Sequence, residues 1–476
     1  MKGKQTRTLL LINPLNRRRI GLAQNRDSIY PPMALGIIAA LTPPHWKVEL
    51  IDENFETFSF READLVGITA LTATINRAYE IAAIFREKNI PTIIGGIHAS
   101  MLPEEAAQYA DCVVKGEAES IWGILIADFE SGSLKPFYEG KLLSLENSPM
   151  PRIDLYNPGY AFGTVQTTRG CPMACDFCSV HTFNGNCYRT RPIDEVLRDI
   201  EAIPQENIYF IDDNLVGHNK KMADRAVTLF KEMVARGYTK KWWCSTSLNV
   251  AEHEEVLEWA ARSGCQMMFL GIESEDIDQL KASNKKVNVR IGVDHFDGVF
   301  EKLNKYGIAA LGAFIYGLET DTPDKMQART DFILNSRIDA IQATLLTPLP
   351  GTVLFNRYLK AGRIHYNNYP KDWERYHYAE VVFDPMLMSR EVLDREVRKN
   401  WEQLYDIRQL KRRMITSLKN TRNPTAAIWS LTNNIQLRNL VFENTAEVFD
   451  LQSFLNSNFG IDKLSGINAN GQQEDE

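Results

Sequence analysis

Apolar and polar positions along the first 130 residues fall into short buried runs separated by amphipathic stretches. Leu9-Leu10-Leu11-Ile12 is continuously apolar and ends at Asn13-Pro14, the pattern of a strand covered on both faces. Trp46 to Asp52, Leu65 to Thr69, Thr92 to Ile94 and Cys112 to Val114 read as four more strands. Met33 to Leu41 and Ala78 to Lys88 read as helices between them. Strand and helix in alternation predict a doubly wound α/β domain over 1–130, whose ligands bind outside the carboxyl ends of its strands. Those ends are Asn13 to Arg19, Thr69 to Thr74, Gly95 to Ser100 and Gly116 to Glu119.

Glycines and prolines from Gly132 to Gly159 mark 131–160 as a linker. A second α/β pattern follows over 161–360. Its strands are expected at Thr164 to Thr167, Ile208 to Ile211, Trp242 to Ser245, Met267 to Leu270, Ala310 to Ile315 and Ala340 to Leu345. Strands at this spacing imply a βα repeat curled into a partial or closed barrel, with its active site where the strands end. From 361 to 465 the pattern turns to aromatic and charged segments and then to long helical stretches, Glu391 to Leu418 above all. That predicts a mainly helical C-terminal unit. The polar stretch 466–476 reads as a disordered tail.

Composition changes this picture little. Of 476 residues, 44% are hydrophobic and 24% charged, which suits a globular protein; no apolar run approaches the ~20 residues of a membrane helix. Leu9 to Ile12 is too short for a secretory core, so a cytoplasmic protein is expected. A net charge of −7 argues against general affinity for nucleic acid.

The cysteines change it more. Cys112, Cys187, Cys244 and Cys265 are scattered, and the last three read as buried thiols, but Cys171, Cys175 and Cys178 form Cys-x3-Cys-x2-Cys directly after the first barrel strand. Three thiolates from one loop can hold a [4Fe–4S] cube and leave one iron open. Zinc is the alternative, because His181 completes a Cys3His set at ligand spacing. Zinc knuckles substitute for a core, however, and this loop opens a large domain with its own core.

With Phe177 before its last cysteine, the segment Thr168-Arg169-Gly170-Cys171-Pro172-Met173-Ala174-Cys175-Asp176-Phe177-Cys178 resembles the radical S-adenosylmethionine (SAM) signature. The resemblance implies that Cys171, Cys175 and Cys178 hold a [4Fe–4S] cluster whose open iron chelates SAM, and that Phe177 lies near the adenine. It further implies SAM contacts at the other strand ends: Asp213 of Asp212-Asp213-Asn214, Ser245, and Glu273 of Gly271-Ile272-Glu273-Ser274. The fifth and sixth strands run into Gly317-Leu318-Glu319 and Thr347-Pro348-Leu349-Pro350-Gly351-Thr352.

A doubly wound domain ahead of such a barrel resembles the cobalamin-binding branch of the superfamily, over residues 6–360. Its recognisable pieces are Tyr30-Pro31-Pro32-Met33-Ala34-Leu35-Gly36 and Gly95-Gly96-Ile97-His98-Ala99-Ser100. The resemblance implies that Gly95 and Gly96 admit the nucleotide tail, while Thr69, Thr72, Thr74 and His98 contact its polar groups. The first loop, Asn13 to Arg19, lacks an Asp-x-His-x-x-Gly motif, which implies a cobalt without a histidine below it.

The implied activity is methylation of an unactivated carbon through a 5′-deoxyadenosyl radical and methylcobalamin. The cofactors would be a [4Fe–4S] cluster, SAM and cobalamin, with an external electron donor such as flavodoxin or ferredoxin. Cyclisation or ring rearrangement with the same cofactors is the alternative. Methylthiotransferase chemistry needs further cluster cysteines in the N-terminal domain, where only Cys112 stands. A zinc-dependent nucleic-acid binder would draw on the basic stretch Arg408, Lys411, Arg412, Arg413, Lys419 and Arg422. The C-terminal unit resembles that of enzymes acting on hopanoid lipids or tetrapyrroles, so Trp373, Tyr376, Tyr378, Phe383, Trp401 and Tyr405 are either core or a substrate wall.

Overall fold

A computed structural model describes residues 7–16, 30–441 and 456. Arg17 to Arg19 of the first loop and the tail 466–476 lie outside the described residues.

The N-terminal sheet contains β1 (Arg7–Asn13), β2 (Trp46–Asp52), β3 (Leu65–Thr69), β4 (Thr92–Gly95), β5 (Cys112–Lys115) and β6 (Phe137–Glu139). They are all parallel, in the order β2-β1-β3-β4-β5-β6. The apolar run of β1 explains its central place. Leu10 and Ile12 point into one buried cluster, and Leu9 and Leu11 into another on the opposite face. The chain leaves β1 toward β2 on one side and then crosses to β3 on the other, so a crevice opens at the carboxyl ends of β1 and β3.

Two sequence expectations need correction here. The stretch 131–160 is not simply a linker, since β6 within it pairs with β5 from Val113–Phe137 to Lys115–Glu139. The first barrel strand is β7 (Phe162–Val165), earlier than Thr164 to Thr167, because residues 166 and 167 turn into a short ribbon of β8 (Thr168–Arg169) and β9 (Arg189–Thr190). That antiparallel ribbon brackets the cysteine loop.

The barrel strands are β7, β10 (Asn207–Phe210), β11 (Lys241–Thr246), β12 (Cys265–Glu273), β13 (Ala309–Tyr316) and β14 (Ala340–Leu345). They run parallel in sequence order without pairing β7 to β14, so the barrel is partial. The free edge of β14 is covered by side chains of the C-terminal unit. Ile341 N donates to Asn434 Oδ1 (3.0 Å), Ala343 N donates to the Tyr405 hydroxyl (3.1 Å), and that hydroxyl donates to Ile341 O (3.2 Å).

The helix expected over 391–418 is two helices, Arg390–Leu404 and Ile407–Thr421. Asp406 separates them by accepting a hydrogen bond from Arg408 N at 2.8 Å, an N-cap that starts a new helix. A further helix, Pro424–Val441, lays Ala426 and Trp429 against Trp243, Met267, Ala309, Leu311 and Ala340. These residues lie in the first halves of their strands, so this helix plugs the amino end of the barrel and leaves the carboxyl end to ligands.

Candidate functional site

The cysteine loop is held from β10. Asp212 is buried and accepts from Thr167 N (3.1 Å), Thr167 Oγ1 (3.0 Å) and Thr168 Oγ1 (2.6 Å), as well as from Thr168 N. Burial pushes its carboxyl up, and these donors pull it back. Asp213 accepts from Gly170 N (3.2 Å) and Asn184 Nδ2 (3.1 Å), and burial raises it too. In this structure Asp213 therefore grips the cysteine loop. Gly170 has φ +94°, and a Cβ there would lie 2.3 Å from Cys187 O, so only glycine admits the approach.

Within the loop Cys178 N donates to Cys175 O (3.0 Å), and Cys171 N donates to Gly185 O (3.1 Å). Burial pushes the Cys178 thiol up to about 12 and raises Cys171 and Cys175. Such thiols stay protonated until a metal takes the proton's place. Among the described residues, no three His, Cys, Asp or Glu side chains converge tightly enough for a single metal ion. Three thiols supplied by one loop would leave the fourth iron of a [4Fe–4S] cube open. His181 Nδ1 is buried and has no hydrogen-bond partner among the described residues. Cys244 and Cys265 are buried as expected, and Cys112 is buried too, but Cys187 is exposed, with its backbone carbonyl against Gly170.

The end of β12 is met by Lys285, a residue that the sequence did not single out. The β12–β13 register slips between Gly271 and Glu273, and Glu273 takes φ +69°, a strained conformation for a side chain of its size. Its Oε1 lies 2.6 Å from Lys285 Nζ. A Cβ at Gly271 would meet both groups at 2.7 Å, so the glycine makes the pair's room. Lys285 is also 5.8 Å from the Phe177 ring. Its segment is sewn to the cysteine loop, with Asp176 N donating to Ser283 O (3.3 Å) and Asn284 Nδ2 to Ala174 O (2.5 Å). Burial works against the ammonium charge, but Glu273 holds the group above its usual range. Ser245 lies 3.4 Å from the Tyr209 hydroxyl, and Tyr209 stacks on Trp243 at 4.0 Å.

A cavity of about 240 Å³ lies at the carboxyl ends of β1, β3, β4 and β5. Leu11, Gly67, Thr69, Gly95, Gly96 and Gly116 are among its walls, and Gln166, Arg169, Asn184 and Ile211 close it from the barrel side. Gly96 has φ +94°, and a Cβ there would come within 2.9 Å of Ala70 backbone atoms. Of the sequence-predicted tail contacts, Thr69, Gly95 and Gly96 line this space. Thr72, Thr74 and His98 do not line it. Thr74 Oγ1 accepts from Leu71 N (3.1 Å), while His98 contacts Thr72 Oγ1 and Glu105 Oε1, each at 3.2 Å. Trp373 Nε1 donates to the same carboxylate at 2.9 Å, and its ring packs edge-on to His98. His98 thus ties the C-terminal unit to the N-terminal domain. A glycine-lined apolar slot at a strand-order reversal suits a nucleotide tail, with a larger ring left to the open seam.

The aromatic residues of the C-terminal unit divide. Trp373, Tyr376, Phe383, Trp401 and Tyr405 are buried core, whereas Tyr378 is exposed, with φ +70°. Of the basic stretch, Arg413 is buried, donating to Ile338 O (2.6 Å) and Ile333 O (2.7 Å), and Arg412 donates to Leu334 O. Two of its six cations are thus committed to helix and loop carbonyls, which counts against a phosphate-binding face.

Comparison with known proteins agrees with this geometry. A family model described as B12 binding domain matches residues 20–125, and one described as Radical SAM superfamily matches 165–333. The chain is 29% identical over 433 residues to bacteriochlorophyllide d C-12(1)-methyltransferase of Chlorobaculum tepidum, covering 86% of this chain and 90% of that protein. It is 28% identical over 382 residues to hopanoid C-2 methylase of Rhodopseudomonas palustris, covering 76% and 72%. Among solved structures, the cobalamin-dependent SAM radical enzyme OxsB with aqua-cobalamin bound superposes with a TM-score of 0.67 at 15% identity, over 95% of this chain and 76% of that one. The radical SAM methyltransferase TsrM of Kitasatospora setae, with cobalamin and [4Fe-4S] cluster bound, gives 0.61 at 18% identity over 75% of each chain. The chain thus carries a B12-binding domain over 20–125 followed by a radical SAM domain over 165–333, the order found in cobalamin-dependent radical SAM enzymes.

Proposed function

We propose that the protein is a cobalamin-dependent radical SAM methyltransferase that methylates an unactivated carbon of a bulky, largely apolar substrate of tetrapyrrole or lipid type. The observation that carries this reading is the shared space. One cavity has the strand ends of the N-terminal sheet on one wall and, on the other, Arg169 and Asn184 of the segment that bears the cysteines. The relatives support the methyl transfer, since two of them are named for methylation of a bacteriochlorophyllide and of a hopanoid.

Cys171, Cys175 and Cys178 would hold a [4Fe–4S] cluster, and Gly95, Gly96 and Thr69 the tail of cobalamin. When bound, the cluster supplies the electron that cleaves SAM, and cobalamin supplies the transferable methyl group. The protein's own residues position and exclude. Glu273 and Lys285 form an opposed pair beside Phe177, suited to the ammonium and carboxylate of SAM's methionine end. Asp212 and Asp213 keep the cysteine loop in one conformation, so that the reacting groups meet without reorganisation. Electrons would come from an external donor such as flavodoxin or ferredoxin.

Anaerobic incubation with SAM, a reductant, hydroxocobalamin and candidate substrates tests the reading. It predicts 5′-deoxyadenosine and S-adenosylhomocysteine together, with a product heavier by one CH2. 5′-Deoxyadenosine without S-adenosylhomocysteine would overturn methyl transfer in favour of rearrangement.

A further inference from the structure

The cysteine loop is bracketed by two arginines, Arg169 in β8 and Arg189 in β9, and both reach across the seam to the loop that follows β5. Arg169 Nη1 is 2.8 Å from Glu119 Oε1 and 3.1 Å from Glu117 Oε2. Arg189 Nη1 is 2.8 Å from Glu117 Oε2, and its Nη2 pairs with Glu117 Oε1. Arg189 also donates to Asn184 O (3.0 Å) and Leu143 O (2.9 Å). The group is shielded from solvent, with side-chain exposures of 11% for Arg169, 12% for Arg189 and 5% for Glu117.

Two acids against two bases leave the clasp neutral. Buried ion pairs of this kind add little net stability against an apolar alternative, so their use lies in fixing one register between the parts they join. The acids are rigidly mounted. Gly116 has φ +75°, and a Cβ at Gly140 would fall 1.8 Å from Glu117 O, so the β5 loop rests directly on the end of β6. Glu117, Glu119, Arg169 and Asn184 all line the cavity. Whatever fills that cavity therefore touches both halves of the clasp.

We propose that Glu117 and Glu119, acting through Arg169 and Arg189, are positioning residues that carry occupancy of the cavity to the cysteine loop. Filling the cavity restricts the β5 loop, and the clasp passes that restriction to the segment on either side of the three thiols. This inference rests on the reading that cobalamin fills the cavity.

Hydrogen exchange on the reconstituted full chain, with and without hydroxocobalamin, tests it. In the native protein, exchange should slow by roughly tenfold both in 93–119 and in 168–190. Glu117→Gln should keep the slowing in 93–119 and lose it in 168–190, while Arg169→Lys, which keeps charge but not the fork, should retain part of it. If Glu117→Gln fails to fold, Glu117→Gln with Arg189→Gln removes one charge of each sign and serves the same test. An unchanged response in 168–190 in these variants overturns the clasp and leaves the cobalamin reading standing. A native protein that responds in 93–119 alone overturns it likewise. No response in either segment of the native protein removes the cobalamin reading and the clasp together.

Discussion

The two parallel sheets meet carboxyl end to carboxyl end, yet those ends are furnished in opposite ways. The N-terminal sheet ends in absences: Gly67, Gly95, Gly96 and Gly116 expose backbone around an apolar slot. The barrel ends in functional groups: Asp212, Asp213, Glu273 and Lys285 stand around three thiols. A large ligand held by shape needs room, which glycine provides. A small charged ligand on a metal cluster needs oriented charge, which must be buried and paired to be held. The same α/β logic therefore selects opposite residue types according to what each end must hold.

The sharpest way to break that contrast is at the thiols. Alanine at Cys171, Cys175 or Cys178 should abolish cluster iron and lower 5′-deoxyadenosine formation on the order of a thousandfold or more, while cobalamin is still retained. Iron and sulfide analysis with chromatography of the nucleoside checks it. The converse change fills the empty end. Gly96→Val places a branched side chain at φ +94° against Ala70, which should cost about 2 kcal/mol of stability and prevent retention of cobalamin after desalting. Cleavage of SAM should continue in that variant without methyl transfer.

Lys285→Met sharpens the comparison on the charged side. It leaves Glu273 buried and unpaired and should raise KM for SAM by roughly tenfold to a hundredfold, as expected for a lost charge-assisted hydrogen bond. Lys285→Arg should recover part of the loss. Steady-state kinetics of 5′-deoxyadenosine formation separates KM from kcat.

The smallest effect belongs to the tie between the N-terminal domain and the C-terminal unit. Burial raises the Glu105 carboxyl, but hydrogen bonds from His98, Trp373 and Tyr79 outweigh it and hold the group below the usual carboxylate range. Stability from this tie is full above the ordinary carboxylate range and is lost as pH falls through the lowered folded value. Glu105→Gln should lose about 1.5 kcal/mol at neutral pH and show a smaller loss of stability in acid than the native protein, as read from urea midpoints at both pH values.

What could be read from the sequence follows from how local each signal is. The run Leu9 to Ile12 declares a doubly covered strand by itself, and the spacing of Cys171, Cys175 and Cys178 declares its chemistry within eight residues. β6 was missed because Phe137-Tyr138-Glu139 is too short to show alternation and sits between glycines and prolines. Lys285 was missed because it stands twelve positions beyond its partner Glu273, and only the loop contacts at Ala174 and Asp176 bring it to the thiols. His98 follows a Gly-Gly pair as a ligand-contacting residue would, but its partners Glu105 and Trp373 come from a helix and a distant segment that local pattern does not join. The Glu117 and Arg189 pairing, 72 positions apart, has no sequence signature, since charged residues beside turns are ordinarily solvated.

Anomalous scattering at the iron and cobalt edges, from anaerobically grown crystals of the reconstituted protein, locates both metals at once. The shared-space account predicts iron on Cys171, Cys175 and Cys178 and cobalt in the open seam outside the slot that Gly95 and Gly96 line, both facing the same opening. Cobalt bound away from that seam, or iron capped by a fourth side chain such as His181, would contradict it.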